Sequence, residues 1–138
     1  MDTKKTILVI EDEKDLAEVL KVKLEDAGFA THVAFDGESG LEVAVAEHPD
    51  LILLDIVLPG MNGVEMLKQL RKDEWGKNAL VMILTNSDDV ETMSQVIEDG
   101  AYEYFVKTEW KIEDIISKIK DKLNADQNRA VWKVERKF

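Results

Sequence analysis

Five short apolar runs alternate with five stretches of helical periodicity along this chain, and few folds accommodate that order. The runs are Thr6–Ile10, Phe29–Ala34, Leu51–Leu54, Ala79–Leu84 and Tyr104–Val106. They are too short for helices, and the first, third and fourth are apolar at consecutive positions, which suits strands buried on both faces. Between them lie amphipathic spacings. Lys14–Ala27 carries Leu16, Val19, Leu20 and Leu24, less cleanly Val22, and stops at Gly28. Gly37–Glu47 carries Leu41, Val43, Ala44 and Val45 and ends before Pro49. Gly63–Lys72 carries Val64, Met66, Leu67 and Leu70, with Asn62 as a cap. Asp88–Asp99 is expected to turn Val90, Met93, Val96 and Ile97 inward before Gly100. Lys111–Leu123 repeats isoleucine at 112, 115, 116 and 119. Alternating β and α units with short connections predict a parallel sheet covered on both faces, joined by right-handed crossovers.

The third run ends in a carboxylate. Leu51 to Leu54 leads into Asp55, and Pro59-Gly60 and Asn62-Gly63 then break the chain into a loop. Burying an unpaired carboxylate is costly, so Asp55 needs a partner or a task. It is either a capping aspartate or a functional group at the carboxyl end of a strand, where open α/β sheets place their sites.

The other strand ends bear on that choice. Glu11-Asp12-Glu13 follows the first run, Thr85 with Asn86 and Ser87 the fourth, and Lys107 the fifth. Each has a mundane reading: an acidic first helical turn, a cap, a solvated charge. In a parallel sheet all lie on one edge, and neighbouring first and third strands would bring Glu11, Asp12 and Asp55 together. Three close carboxylates repel, and a hard divalent cation relieves them. With no histidine or cysteine at these ends, Mg²⁺ fits and zinc does not. Metal, carboxylate, hydroxyl and ammonium around one point are equipment for handling a phosphoryl group.

Composition narrows the alternatives. A formal charge of −11 and pI near 4.6 argue against direct binding of nucleic acid. No cysteine means no disulfide frame and no thiolate metal site. No apolar run approaches the roughly 20 residues of a membrane span, and Ile7–Ile10 is too short for a signal peptide. A cytoplasmic location and no membrane partner are expected. The 138 residues suit one domain of residues 1–123 and a C-terminal tail, 124–138, mildly basic and without a clean period. The tail is expected to extend the last helix or to be disordered.

At this point the sequence resembles the receiver domain of bacterial two-component response regulators, over about Thr6 to Leu123. The carriers are ILVIEDE (Ile7–Glu13), LILLDIVLPGMNG (Leu51–Gly63), VMILTNSD (Val81–Asp88) and GAYEYFVK (Gly100–Lys107). The resemblance implies a flavodoxin-like, CheY-like (βα)5 three-layer sandwich with strand order 2-1-3-4-5. It implies Asp55 as phosphoacceptor, Asp12 as direct Mg²⁺ ligand, Glu11 as the acid holding metal-bound water, and the backbone carbonyl of Val57 as a further ligand. Thr85 becomes the switch hydroxyl, Lys107 the phosphate-pairing lysine, and Tyr104 the aromatic that turns inward. Tyr104 also reads as a half-buried strand tyrosine. Val57 and Ser87 stand at two positions said to tune phosphoryl lifetime, and the branched Val57 points to a long-lived state.

One departure stands out. The family usually has proline after its lysine, commonly through a cis peptide, whereas Thr108 follows Lys107 here. A cis bond costs about 2.5–4 kcal/mol before other residues and about 0.5–1 before proline. Either the bond is trans and the loop is rebuilt, or the strain is retained.

The implied function is a phosphorylation-activated switch in a phosphorelay. It takes its phosphoryl group from a histidine kinase or phosphotransfer protein and changes partners around the fourth helix, fifth strand and fifth helix. The downstream partner is not identified, and the state is monomeric or a phosphorylation-dependent dimer. The only catalysis implied is of its own aspartyl phosphorylation and dephosphorylation. A dehalogenase-like phosphatase would need an acid where Val57 stands. A flavin binder would not place acids after its first strand. A phosphate-independent scaffold, or an excised N-terminal domain of a longer regulator, is the remaining alternative, since fifteen residues after Leu123 cannot form an effector domain.

Overall fold

A computed structural model describes the backbone of residues 4–135 and the side chains through Asn124. Five strands, β1 (Thr6–Ile10), β2 (Ala30–Ala34), β3 (Leu51–Leu54), β4 (Val81–Thr85) and β5 (Glu103–Val106), form one sheet in the order β2-β1-β3-β4-β5. Every pairing is parallel. Five helices connect and follow them: α1 (Lys14–Asp26), α2 (Gly37–Glu47), α3 (Gly63–Lys72), α4 (Val90–Glu98) and α5 (Ile112–Glu135).

Alternation along each strand builds two cores. Leu8, Ile10, Ile52, Leu54, Val81 and Ile83 face α2, α3 and α4 with Ala44, Met66, Leu67, Leu70 and Val96. Ile7, Val9, Leu51, Leu53, Met82, Leu84 and Phe105 face α1 and α5 with Leu20, Leu24, Ile115, Ile116 and Ile119. Strands buried on both faces need no polar alternation, which is why β1, β3 and β4 read as continuous apolar runs. Side-chain caps start three helices. The carboxylates or amide oxygen of Asp36, Asn62 and Asp89 accept N–H bonds from Ser39, Glu65 and Thr92 at 2.8, 2.9 and 3.0 Å. Gly28, at φ +100°, ends α1 in the left-handed conformation that glycine favours.

The helix faces differ from expectation in places. Val19, Val22, Val45, Val90 and Ile97 are exposed, while the small Ala17 and Gly40 are buried. The tight approach of α1 and α2 to the sheet selects small residues, so apolar type alone does not mark the inner face. β4 extends to Thr85, α4 begins at Val90, and a short 3-10 turn at Gly76–Asn78 precedes β4. The expected C-terminal tail begins within α5, whose backbone continues to Glu135; residues 136–138 and the side chains after 124 lie outside the described residues. Arg71 ends α3 as a clasp. Its guanidinium donates to the carbonyls of Asp99, Gly76 and Ala79 at 2.8 Å each and of Gly100 at 3.2 Å. No described helix is long and apolar enough to cross a membrane.

Candidate functional site

The sheet order sets β3 between β1 and β4, so the chain ends leaving these strands share one edge. Ile10 pairs with Leu54 and Thr85 with Val106, which aligns Glu11 with Asp55 and Thr85 with the start of the Lys107 turn. Backbone bonds lock the exits. The Asp55 N–H donates to the Ile10 carbonyl at 3.0 Å, and the Lys107 N–H to the Thr85 carbonyl at 2.8 Å.

Carboxylate oxygens of Glu11, Asp12 and Asp55 lie within 4.8 Å of one another. Glu11 and Asp55 are 2% and 4% exposed, whereas Asp12 is open to solvent. This group can hold a metal ion. The donor set is oxygen only, with two acids withdrawn from water and one at the surface, and it suits a hard divalent cation that keeps several waters.

Lys107 closes the site. Its Nζ lies 2.8 Å from Glu11 Oε1, 3.0 Å from Asp55 Oδ2 and 3.4 Å from Glu13 Oε1. The remaining oxygens are used as well. Glu11 Oε2 accepts from the Glu13 N–H at 2.9 Å, and Asp55 Oδ1 from the Val57 N–H at 3.1 Å. Burial raises the Glu11 pKa above its ordinary value, against the Lys107 and Glu13 hydrogen bonds, and the Asp55 charge adds to the rise. For Lys107, burial works against the ammonium, but the hydrogen bonds and charges of Glu11 and Asp55 outweigh it and hold its pKa well above the ordinary lysine value. The chain thus carries its own counter-charge in the acidic cleft.

Thr85 is fully buried at the end of β4, and its Oγ1 accepts from the Ser87 N–H at 3.3 Å. Tyr104 is half-buried, and its hydroxyl donates to the Ser87 carbonyl at 2.7 Å. Burial raises its pKa, with the Ser87 bond opposing. Ser87 therefore ties the loop after β4 to both Thr85 and Tyr104. Val57, whose N–H is bound to Asp55, is 61% exposed.

Gly63 fixes the loop after β3. A Cβ there would collide with the Asp55 carbonyl and stand 2.7 Å from the Ile56 Cα. α3 begins where only hydrogen fits, and the Gly63 N–H donates to the Ile56 carbonyl at 2.8 Å. After Lys107 the chain takes the rebuilt course. No described peptide bond is cis, the Glu109 N–H closes a turn on the Val106 carbonyl at 2.9 Å, and Trp110 packs edge-on against Phe105 at 4.8 Å.

The expected residues Glu11, Asp12, Asp55 and Lys107 come together at the sheet edge. Two features were not foreseen. Glu13 looks in sequence like part of an acidic run, yet it touches Lys107. Arg71 gave no signal beyond a basic residue near a helix C-terminus.

Comparison with known proteins gives a consistent result. The family described as the response regulator receiver domain matches residues 7–120. Response regulator ArlR of Staphylococcus saprophyticus is 34% identical over 114 residues, covering 83% of this chain and 50% of that protein. DNA-binding response regulator MtrA of Mycolicibacterium smegmatis is 34% identical over 129 residues, covering 93% of this chain and 55% of that protein. The chain thus spans about half the length of these curated relatives. Among solved structures, a CheY-like response regulator receiver domain protein from Methanospirillum hungatei superposes with a TM-score of 0.84 at 28% identity, over 92% of this chain and 99% of that one. The receiver domain of Francisella response regulator 1452 gives 0.77 at 32% identity, over 85% and 94%.

Proposed function

This chain belongs to the response regulator receiver domain family of two-component signalling, and from that premise we propose that it is switched by phosphorylation of Asp55. The observation that carries the reading is one contact: the nearly buried Asp55 carboxylate accepts the Lys107 ammonium at 3.0 Å inside the three-acid group.

In this reading a phosphohistidine on a kinase or phosphotransfer protein is the donor. An Asp55 carboxylate oxygen forms a bond to phosphorus as the bond from phosphorus to the donor nitrogen breaks, and the electron pair leaves with that nitrogen. Lys107 pairs with the phosphoryl oxygens, and the Thr85 hydroxyl donates to another. Glu11, Asp12, Asp55 and the Val57 carbonyl would hold Mg²⁺, which supplies neutralisation of the charge spread over the transferring group. Drawing Thr85 toward the phosphoryl group pulls on Ser87, and through it on the Tyr104 hydroxyl. That couples Asp55 to the face formed by α4, β5 and α5. Val57 and Ser87 are the residues that would set how long the phosphoryl group lasts. The downstream partner meets that face, with the protein monomeric or pairing on phosphorylation, in a cytoplasmic setting. In this reading the receiver unit is residues 1–123, and the backbone of α5 runs beyond it to Glu135.

The test is incubation with acetyl phosphate and Mg²⁺, followed by intact mass. Wild type should gain one phosphoryl group, and Asp55→Asn should gain none while keeping its circular dichroism spectrum. Persistent labelling of Asp55→Asn would move the acceptor elsewhere.

A further inference from the structure

Three carboxylates surround the Lys107 ammonium, and they differ in depth. Glu11 and Asp55 form the floor, at 2% and 4% side-chain exposure. Glu13 stands at the rim with a side chain 56% exposed, and the lysine between them is 11% exposed. Floor and rim also differ in what else they serve. Glu11 and Asp55 belong to the group of three acids whose oxygens converge, and Glu13 does not. A divalent cation shared by Glu11, Asp12 and Asp55 takes up the same negative charge that now holds the lysine, and so weakens its grip on both floor acids. The Glu13 carboxylate lies outside that group, 3.4 Å from Nζ. It is also anchored. Its backbone N–H is held by Glu11 Oε2 at 2.9 Å, and its carbonyl accepts the Ala17 N–H at 2.9 Å in the first turn of α1.

We propose that Glu13 is a positioning residue that retains the Lys107 ammonium at the mouth of the site when a divalent cation occupies the three-acid group. Without it, the freed lysine would spread over solvent-facing rotamers, and the group meant to meet an incoming phosphoryl would be out of place. The inference deepens the phosphoacceptor reading, since holding Lys107 matters for that chemistry, but the contact itself can be tested without phosphorylation.

The experiment reads the reactivity of Lys107 toward acetic anhydride, by peptide mass spectrometry, with and without Mg²⁺ at saturation set by calorimetry for each variant. Without Mg²⁺, wild type and Glu13→Gln should react equally slowly, because Glu11 and Asp55 hold the amine. With Mg²⁺, Glu13→Gln should react about two- to fivefold faster than wild type, the range an exposed ion pair supports. Asp15→Asn, which removes the same charge from the same helical turn without touching Lys107, should match wild type. Equal rates for Glu13→Gln and wild type in Mg²⁺, an equal rise in Asp15→Asn, or a wild type that binds no Mg²⁺ would each overturn the proposal. Failure of the phosphoacceptor reading shows separately, as a wild type that takes no label from acetyl phosphate while the lysine reactivities keep the expected pattern.

Discussion

Lys107 lies closer to Glu11, at 2.8 Å, than to Asp55, at 3.0 Å. The ammonium from the end of β5 therefore reaches past β4 and β3 to the end of β1, and it joins strands that do not pair. It serves as an internal cation, setting ion pairing against acid repulsion.

Removing that cation has a definite sign. Lys107→Ala leaves two nearly buried carboxylates facing each other with Asp12 alongside. Loss of one partner from a buried pair is strongly destabilising, though proton uptake by Glu11 relieves part of it. The variant should lose stability in urea unfolding with EDTA at neutral pH, by less than the roughly 3–5 kcal/mol of a wholly uncompensated buried pair. Added Mg²⁺ should stabilise it more than it stabilises wild type, since binding to the folded state adds directly to stability. Equal Mg²⁺ stabilisation of both proteins would count against the internal-cation account.

If Glu11 helps hold the metal, affinity should depend on pH above the ordinary carboxylate range. Its pKa is raised, chiefly by burial, so it takes up a proton at a higher pH than a solvated glutamate. For the fold, an acid with a raised pKa costs stability where it is ionised, and the cost disappears as pH falls below its unfolded value. For Mg²⁺ the sign is opposite, because binding needs the ionised form. Calorimetric titrations at descending pH should show affinity falling before solvated carboxylates titrate. Glu11→Gln should bind more weakly with a flatter profile. Affinity that holds steady down to the ordinary glutamate value would remove Glu11 from the site.

Gly63→Ala should damage the site through the backbone. The added methyl group meets the Asp55 carbonyl and the Ile56 Cα, neither of which is a flexible side-chain end. Overpacking of this kind costs about 1–3 kcal/mol. The melting temperature should drop, and labelling of Asp55 by acetyl phosphate should slow, because the strand end must shift. Unchanged values for both would mean that α3 gives way freely.

Tyr104→Phe should separate acceptance from transmission. The substitution keeps the ring and removes the 2.7 Å bond to the Ser87 carbonyl, a loss of about 1 kcal/mol. Hydrogen exchange at residues 86–88 should accelerate, while the labelling rate of Asp55 stays within twofold of wild type, roughly the scatter of surface changes. A large drop in labelling would place Tyr104 in the acceptor chemistry instead.

Much of this arrangement was legible beforehand, for physical reasons. β1, β3 and β4 are apolar on both faces because helices cover both, so their runs stood out. Their ends carried Glu11, Asp55 and Thr85 directly, and a parallel sheet must bring such ends to one edge. Helix faces were harder. Val90 and Ile97 look like core residues yet face outward, because the packing neighbour rather than residue type decides the inner stripe. The sequence after Lys107 is compatible with two courses, and the turn closed by the Glu109 N–H, with Trp110 packed on Phe105, takes one of them. Arg71 and Glu13 escaped notice because their partners are a set of carbonyls and a residue 94 positions away, neither of which leaves a local pattern.

The Arg71 clasp also gives α4 a mechanical asymmetry. One guanidinium bolts the turn after its C-terminal end to the loop that feeds β4. The other end is capped by Asp89 and follows the Ser87 loop that touches Tyr104. Four carbonyls thus fix the C-terminal end of α4 to the body, while its N-terminal end rests on a single aspartate cap beside the exposed Val90.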